Sequence, residues 1–349
     1  MRILFIKLRH IGDSLLLTPT IAATKKKYPH AEIWVLVRET CDGILAGCPE
    51  IDRILTTANP DSAKRSKLGW LSDLKLAALL RRTHFDFVFE LTDNDRARFL
   101  ALAARTPMRC TNEHPTLKKF WRPFFHRICT TPRYPKHQVI RDYVCPEEIL
   151  ELPTTPGPLV FAATCSIPWH DLDYKNRPPF AVLHIHTRWP QKSWPIERWE
   201  ALIPLLLEMV PQIILSCGPG AEEVLSSRML SEKIGPRLIT TAGTTSWSQL
   251  AWLLEQANFF VGVDTAAMHL AAACGCPTVA LFGPSPTFEY YPWEVTHWLI
   301  QPETNNADSH VAGDMRDIAL ASILKACKDA NECHKASKIL TNLKQISQL

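Results

Sequence analysis

Apolar runs of strand length alternate with longer segments of helical period along most of this chain. Strands are predicted at residues 2–8, 31–37, 51–55, 85–91, 180–184, 212–216, 259–263 and 278–282. Helices are predicted at residues 14–27, 70–82, 196–209, 221–230, 247–256 and 266–273. Strands that alternate with helices in this way are typical of parallel sheets covered by helices, so the pattern predicts an α/β protein.

Two stretches depart from this alternation. Residues 107–135 mix aromatic and basic side chains, which leaves open either a mobile loop or a lipid-facing helix. Residues 145–179 contain seven prolines and little periodicity, which is typical of a connection between domains. The predicted domains are therefore residues 1–165 and 166–349, and two similar α/β halves are expected.

The most informative segment is the strand–helix–strand unit at residues 261–286. The polar pair Asp264-Thr265 ends its first strand, and Gly275 and Pro277 end the alanine-rich helix that follows. Ligands bind at such junctions in open parallel sheets, and the start of a helix favours phosphate. The alternative is an ordinary crossover in which Asp264 only caps the helix.

Composition and charge narrow the class of protein. The chain has 349 residues, enough for two domains with large cores, and no apolar stretch reaches the ~18 residues of a membrane span. Lys7 interrupts the first apolar run, so this run is no signal peptide and a cytoplasmic location is expected. Residues 1–150 hold 25 Lys and Arg against 16 Asp and Glu, whereas the remainder is acidic. This imbalance indicates an anionic partner (a membrane surface, a phosphorylated glycolipid or nucleic acid), unless the basic clusters are only solvated faces.

Several kinds of chemistry lack their sequence signals. The 11 cysteines are scattered and have no CxxC spacing, which is typical of reduced core residues. No His, Cys and Asp residues have the spacing of metal ligands, and no GxSxG motif is present. A GxGxxG motif after a strand is also absent, which argues against an NAD enzyme.

Four further residues stand where strands end or helices begin, and each has two interpretations. Asp13 follows the first strand, where it could serve as a general base or cap the next helix. Lys192 lies in a loop that also holds Thr187, and it either neutralises a diphosphate or is a surface lysine. Glu222, in a first helical turn, either binds a ribose or favours the helix dipole. His269 faces either the pocket or the core.

Four segments, taken in order, carry a family resemblance. They are residues 2–20, 186–195 (HTRWPQKSWP), 218–222 and 261–286. Together they resemble glycosyltransferase family 9, the ADP-heptose:lipopolysaccharide heptosyltransferases. The loop at 186–195 and the sequence Tyr291-Pro292-Trp293 look most like the type III branch, which adds a side-branch heptose to the inner core.

The resemblance implies a GT-B fold, in which two Rossmann-like domains face one cleft. The first domain would bind the acceptor and the second the nucleotide-sugar, and a C-terminal helix could pack back on the first domain. Transfer would invert the configuration at the anomeric carbon of the sugar and need neither a metal nor another cofactor. The alternatives are a related transferase with another nucleotide-sugar or a protein acceptor, and a non-catalytic nucleotide-sugar binder. The presence of Asp13 favours an enzyme.

By the same resemblance, Asp13 would deprotonate the acceptor hydroxyl. The matching donor-binding residues are Thr187, Lys192, Glu222, Asp264, Thr265, Ala266 and His269. Lys192 would stabilise the departing ADP, Glu222 would hold the ribose and Asp264 the heptose hydroxyls, while the others line the phosphate and heptose pocket. Many family members have glycine at position 266, and alanine disfavours positive φ, so an altered phosphate contact is expected there.

The acceptor implied by the resemblance is a lipid A-core oligosaccharide on the cytoplasmic face of the inner membrane. The basic half of the chain would then carry a peripheral membrane-docking face that includes Lys118, Lys119 and Arg122. Neither a nucleic-acid partner nor a transmembrane segment is expected.

Overall fold

The computed structural model describes residues 1–58, 69–130, 136–165, 167–169, 178–302 and 313–346, and it describes no side chains at 69–72 and 340–346. The chain divides into two compact units, unit 1 (Met1–Ala162) and unit 2 (Ala163–Leu349). The sequence placed the division at residues 165 and 166.

Unit 1 is a parallel sheet with helices between its strands. The strands are β1 (Arg2–Lys7), β2 (Glu32–Arg38), β3 (Arg53–Thr57), β4 (Phe87–Glu90), β5 (Met108–Asn112) and β6 (Arg127–Cys129). The helices are α1 (Ile11–Leu16), α2 (Thr18–Lys27), α3 (Asp42–Leu45), α4 (Gly69–Arg82), α5 (Asp95–Ala103) and α6 (Gln138–Leu150). The strand order β3-β2-β1-β4-β5-β6 is that of a Rossmann fold. The centre of the sheet is apolar because β1 buries all its residues after Arg2.

Unit 2 repeats this architecture. Its strands are β7 (Phe180–His184), β8 (Gln212–Ser216), β9 (Leu238–Thr240), β10 (Phe260–Val263), β11 (Thr278–Leu281) and β12 (His297–Ile300). Its helices are α7 (Ile196–Leu206), α8 (Ala221–Ile234), α9 (Trp247–Gln256), α10 (Ala266–Ala273), α11 (Thr287–Tyr290) and α12 (Leu320–Ile346). The strand order β12-β11-β10-β7-β8-β9 is the order of unit 1 seen from the other edge. Ile323, Cys327 and Ala330 of α12 pack into the core of this unit, together with Trp199 of α7.

The prediction of two α/β halves with parallel sheets is confirmed, and three local predictions are wrong. The helix predicted at residues 14–27 is two helices that meet at Leu17, because Pro19 lacks an N–H group and fits only the first turn of a helix. The first of these helices begins at Ile11, so Asp13 lies inside α1. The predicted connection at 145–179 begins later, since α6 continues through Pro146 to Leu150.

The third difference concerns residues 107–135, predicted as a mobile loop or a lipid-facing helix. This segment contains β5, a 3-10 helix (Lys119–Phe124) and β6. Residues 131–135 lie outside the described residues. Within the described parts of the chain, no helix is long and apolar enough to cross a membrane.

Candidate active site

Each sheet reverses its strand order at one point, between β1 and β4 in unit 1 and between β7 and β10 in unit 2. A parallel sheet opens a crevice outside the carboxyl ends of the two strands at such a switch point, because their connections run in opposite directions. Asp13 follows β1, whereas Lys192 follows β7 and Asp264 follows β10. Asp13, Lys192 and Asp264 thus follow strands that flank the two switch points.

In unit 2, the switch point is bridged by an ion pair. Lys192 ends the 3-10 helix Pro190–Lys192, and its Nζ donates to Asp264 Oδ2 at 2.7 Å. The carboxylate is nearly buried, with 8% of the side chain exposed, while the lysine is 24% exposed. A lysine in this position cancels the charge of Asp264 and can still turn toward an incoming anion.

The N-terminus of α10 lies beside this pair. Thr265 is its N-cap residue and has extended backbone, but its side chain makes no capping hydrogen bond. Its hydroxyl oxygen is buried and has no hydrogen-bond partner in the described part of the chain. The first N–H groups of a helix have no partner within the helix and carry the positive end of its dipole. This helix start is therefore suited to a phosphate.

Ala266 and His269 belong to the same helix. Ala266 is its first residue and does not have a positive φ. The expectation of an altered phosphate contact at this position is therefore not supported by the backbone, because alanine adopts this helical conformation without strain and keeps its N–H. His269 is 3% exposed, and its backbone N–H donates to the Thr265 carbonyl at 3.4 Å.

The loop after β7 is held in place by its own hydrogen bonds. Thr187 Oγ1 accepts from the Trp189 N–H at 3.3 Å, and the Lys192 N–H donates to the Trp189 carbonyl at 2.8 Å. His186 Nε2 lies 2.8 Å from Ser227 Oγ of α8, and burial lowers the pKa of this histidine. The loop that carries Thr187 and Lys192 is thus positioned by contacts within unit 2.

The two glutamates at the start of α8 have different partners. Glu223 accepts from the Gly218 N–H at 2.7 Å and so closes the turn before the helix. Glu222 is exposed, and its carboxylate has no hydrogen-bond partner among the described residues, which leaves it available to a ligand. The loop after β9 packs closely on this turn: a Cβ on Gly243, whose φ is +70°, would lie 2.6 Å from the Gly218 carbonyl oxygen. No local sequence signal indicated the role of Gly243 or of His186.

In unit 1, Asp13 is the third residue of α1 and is 9% exposed. Its Oδ2 accepts from the His10 N–H at 3.2 Å, as in a capping box. Its Oδ1 has no hydrogen-bond partner among the residues that the structure describes. The two interpretations of Asp13 are therefore compatible, since one oxygen caps the helix and the other remains available to a proton donor.

A buried ion pair lies at the end of β1. Lys7 Nζ donates to both carboxylate oxygens of Asp142 in α6, at 2.6 and 2.7 Å, and to the Leu91 carbonyl at 3.1 Å. Neither side chain is more than 1% exposed. These bonds fix the ends of β1 and β4 against α6 and so hold the surroundings of Asp13.

The three basic residues expected to face the membrane have different surroundings. Lys118 pairs with Asp95 at 2.9 Å, and both terminal nitrogens of Arg122 bind Glu113, at 2.7 and 2.8 Å. Lys119 is exposed. The positive charge of this surface is therefore smaller than the sequence suggested, because two of its three cations are paired with carboxylates.

The structure thus brings together Lys192, Asp264, Thr265 and Ala266 within unit 2. Among the described residues, no group of three or more His, Cys, Asp and Glu side chains has the geometry to hold a metal ion.

Comparison with known proteins identifies the family. A model of the family described as glycosyltransferase family 9 (heptosyltransferase) matches residues 74–316. Lipopolysaccharide heptosyltransferase 3 of Escherichia coli is 27% identical over 323 residues, which cover 89% of each chain.

Solved structures show the same fold. The structure of Escherichia coli heptosyltransferase WaaC with ADP has a TM-score of 0.78 at 19% identity, covering 95% of this chain and 100% of that one. The same enzyme with ADP-2-deoxy-2-fluoro heptose has a TM-score of 0.78 at 20% identity, covering 94% and 99%. The predicted GT-B fold class is thereby confirmed. Since the family match spans more than half of its length, this chain belongs to glycosyltransferase family 9, the heptosyltransferases, and is a glycosyltransferase.

Proposed function

We propose that this protein transfers L-glycero-D-manno-heptose from ADP-heptose to a heptose hydroxyl of the lipopolysaccharide inner core, with inversion and without a metal ion. The observation that carries the proposal is the Lys192–Asp264 ion pair beside the uncapped start of α10. The proposal is supported by the similarity to lipopolysaccharide heptosyltransferase 3 over 89% of this chain and by the structures of the same fold with ADP and with ADP-2-deoxy-2-fluoro heptose.

In the proposed complex, the diphosphate of the donor binds the first N–H groups of α10 and the Thr265 hydroxyl. Lys192 then turns from Asp264 to the diphosphate, where it stabilises the charge that develops on the leaving ADP. Asp264 in turn accepts hydrogen bonds from heptose hydroxyls. Glu222 binds the ribose, and Thr187, Ala266 and His269 complete the phosphate and heptose pocket.

Asp13 acts as the general base in this proposal. It takes the proton of the acceptor hydroxyl while the hydroxyl oxygen forms a bond to the anomeric carbon. The bond from that carbon to the phosphate oxygen breaks, and its electron pair leaves with ADP. Attack opposite to the leaving group inverts the anomeric centre.

The role of Asp13 is tested by Asp13→Asn, which keeps the size of the side chain and the acceptor oxygen for the His10 N–H. Transfer is expected to fall by ~10²–10⁴-fold, the usual contribution of a general base, while ADP affinity changes by no more than a few fold. Asp42→Asn, at an exposed position of α3, is the matched control and should keep full activity. Unchanged turnover of Asp13→Asn would remove Asp13 from the mechanism.

Donor and acceptor are tested by incubation with ADP-heptose and defined truncated core acceptors, followed by mass spectrometry. A mass gain of one heptose on one acceptor supports the proposal and identifies the branch of the family. A gain with another nucleotide-sugar or on a protein contradicts the proposed substrates. Binding of ADP-heptose without transfer to any acceptor points to a non-catalytic binder.

We also propose that unit 1 binds the cytoplasmic face of the inner membrane through the 3-10 helix Lys119–Phe124. Phe120 and Phe124 are 56% and 43% exposed on this helix, beside Lys118, Lys119 and Arg122. Because ion pairs reduce the local positive charge, insertion of the two aromatic rings at the interface has to supply much of the binding.

The membrane proposal is tested by co-sedimentation with vesicles that contain anionic lipid. The double variant Phe120→Ser/Phe124→Ser should lose most of the bound fraction, and added salt should weaken binding further. Leu225→Ser, which changes an exposed apolar residue of unit 2, is the control. Binding that depends on neither the aromatic pair nor the anionic lipid would contradict the proposal.

A further inference from the structure

The switch point of unit 1 holds a second set of charged side chains that the proposed mechanism leaves unused. Arg9 follows β1, Asp93 follows β4, His114 follows β5, and Arg141 lies in the first half of α6. We call Arg9, His114 and Arg141, which surround Asp93, the basic cluster. Four separate segments of the chain supply these residues, so no local sequence motif reveals them.

The two arginines share one carboxylate oxygen. Arg9 Nη2 lies 3.7 Å and Arg141 Nη2 lies 3.8 Å from Asp93 Oδ2. Asp93 is 6% exposed, while the side chains of Arg9 and Arg141 are 32% and 14% exposed. The two guanidinium groups thus approach the surface of unit 1 around a single buried negative charge.

The spacing of the two arginines fits an oxyanion. Since both nitrogens lie within 4 Å of one oxygen, they are at most about 7.5 Å apart, a span that one phosphate bridges with two charge-assisted hydrogen bonds of about 2.8 Å. A carboxylate can bridge the two arginine nitrogens only if their separation is in the shorter part of that range.

His114 adds a neutral donor to the cluster. Its Nδ1 lies 3.2 Å from the Thr116 backbone nitrogen and 2.9 Å from Thr116 Oγ1, and in the tautomer in which Nδ1 accepts from the Thr116 N–H the ring proton is on Nε2. Burial lowers the pKa of His114, and Arg141 and Arg9 lower it further against the opposing effect of Asp93, so the ring is neutral near pH 7. A neutral ring with its proton on Nε2 can donate to an oxyanion or to a sugar hydroxyl.

The turn that carries Asp93 is held in a strained conformation. Asp93 has a φ of +64°, which is unfavourable for a residue with a side chain. Glu90 Oε1 accepts from the N–H groups of both Thr92 and Asp93, at 2.8 and 2.9 Å, and maintains the turn. Strain of this kind persists where the surrounding structure enforces it and is concentrated at functional sites. In addition, Asp93 Oδ1 is buried without a hydrogen-bond partner in the described residues.

From this geometry we propose that the basic cluster binds an oxyanion substituent, a phosphate ester or a carboxylate, on the sugar acceptor. Arg9 and Arg141 bridge the oxyanion, His114 donates to it or to a neighbouring hydroxyl, and Asp93 holds the two arginines in place. Arg9 is four residues from Asp13 and follows the same strand, so the anion would anchor the acceptor close to the base. This inference rests on the proposed function, because it requires a sugar acceptor in unit 1.

The test measures initial rates for Arg9→Gln and Arg141→Gln with three acceptors: the native core acceptor, the same acceptor after removal of its phosphates, and the same acceptor after reduction of its carboxylates. Each variant should raise the acceptor KM by ~10–100-fold with the native acceptor, as expected for loss of one charge-assisted hydrogen bond, and change kcat by no more than a few fold. If removal of the phosphates abolishes the difference in acceptor KM between the variants and the native protein, the bound group is a phosphate. If reduction of the carboxylates abolishes it, the bound group is a carboxylate.

Two controls separate anion binding from a purely structural role of the arginines. Arg82→Gln, at an exposed position near the end of α4, should behave like the native protein with every acceptor. Arg141→Lys should restore part of the affinity, since it keeps the charge but not the fork of donors. Equal losses with charged and uncharged acceptors would overturn the inference in favour of a structural role, as would an unchanged KM in both glutamine variants.

Failure of the inference about the basic cluster can be distinguished from failure of the proposed function. If the native protein transfers heptose and the glutamine variants match it, only the basic cluster loses its role. If the native protein transfers heptose to no core acceptor, the proposed function fails. ADP binding, measured by calorimetry, should be the same in the native protein and in both variants, because the donor residues belong to unit 2.

Discussion

Glu90 allows a quantitative prediction about stability. Its carboxylate is fully buried at the end of β4, and burial, together with the nearby charge of Asp93, raises its pKa to about 7 from an ordinary value of 4.5. Glu90→Gln preserves the shape and the Oε1 acceptor that holds the turn at Thr92 and Asp93. It removes the ionisation and also alters the contacts of Oε2, which accepts from Thr111 Oγ1 at 3.0 Å and lies 3.6 Å from Arg98 Nε.

The direction in which the free energy of unfolding changes with pH follows from the protons that the folded and unfolded states bind. Between pH 4.5 and pH 7, the folded protein keeps the Glu90 proton that the unfolded chain has already lost, so the contribution of Glu90 to the free energy of unfolding falls as pH rises. Above pH 7, both states are ionised and the loss is complete. A pKa difference of this size corresponds to about 2–3 kcal/mol between pH 5 and pH 8. Glu90→Gln should therefore gain about 2–3 kcal/mol relative to the native protein over that range.

The assay is urea unfolding of both proteins at pH 5, 6, 7 and 8, since the difference between them cancels every other titrating group. Glu113→Gln is the control, because the Arg122 guanidinium lowers the pKa of Glu113 and this carboxylate is ionised in both states from pH 5 to pH 8, so its difference from the native protein should be small and nearly constant with pH. A difference between Glu90→Gln and the native protein that stays constant from pH 5 to pH 8 would refute the reasoning about the buried carboxylate.

Three further outcomes are expected. Burial lowers the pKa of His184 to about 3, so the contribution of His184 to the free energy of unfolding should fall by about 2 kcal/mol from pH 8 to pH 5, and urea unfolding should show this fall as a pH-dependent difference between the native protein and His184→Asn. Gly243→Ala should lower ADP affinity in calorimetry by ~10-fold or more through its clash with the loop after β8, whereas Gly275→Ala, with a similar φ and open space around it, should cost only ~1 kcal/mol of stability. A double-mutant cycle of Lys192→Met and Asp264→Asn should give a coupling of roughly 1–2 kcal/mol in the free energy of unfolding, and a coupling near zero would contradict the ion pair.

The elements that could be predicted from sequence are those in which local preference and tertiary environment agree. The helix predicted at residues 266–273 has these bounds in the structure, because its small apolar residues lie between a polar pair and a glycine with positive φ. By contrast, β5 could not be predicted. Arg109 is buried in this strand, and its guanidinium donates to the carbonyls of Ala101, Phe124 and Ala104. A strand whose polar side chains are satisfied by distant carbonyls has no apolar run to indicate it.

Single residues of the candidate site could be predicted from the sequence, but their spatial relations could not. Lys192 and Asp264 could each be singled out because each follows a buried strand, but they are 72 residues apart in sequence and only the fold brings Nζ to 2.7 Å from Oδ2. Arg9 also follows a buried strand, but no sequence signal indicated Arg141 or its relation to Arg9. Their relation depends on Asp93, whose position is set by a strained turn that Glu90 maintains.

The two units have the same strand order and place a similar ion pair at the switch point, but with different cations. In both, a cation after the first strand meets a carboxylate after the fourth, Lys192 with Asp264 in unit 2 and Arg9 with Asp93 in unit 1. The carboxylate holds the cation at the switch point while no ligand is bound, and an incoming anion competes for the cation without meeting an uncompensated charge. In the proposed mechanism, a single lysine can turn from one carboxylate to a diphosphate that leaves after reaction. In the proposed acceptor site, a planar guanidinium pair, with Arg141 as its second member, is better suited to fix the orientation of an acceptor whose hydroxyl would face Asp13.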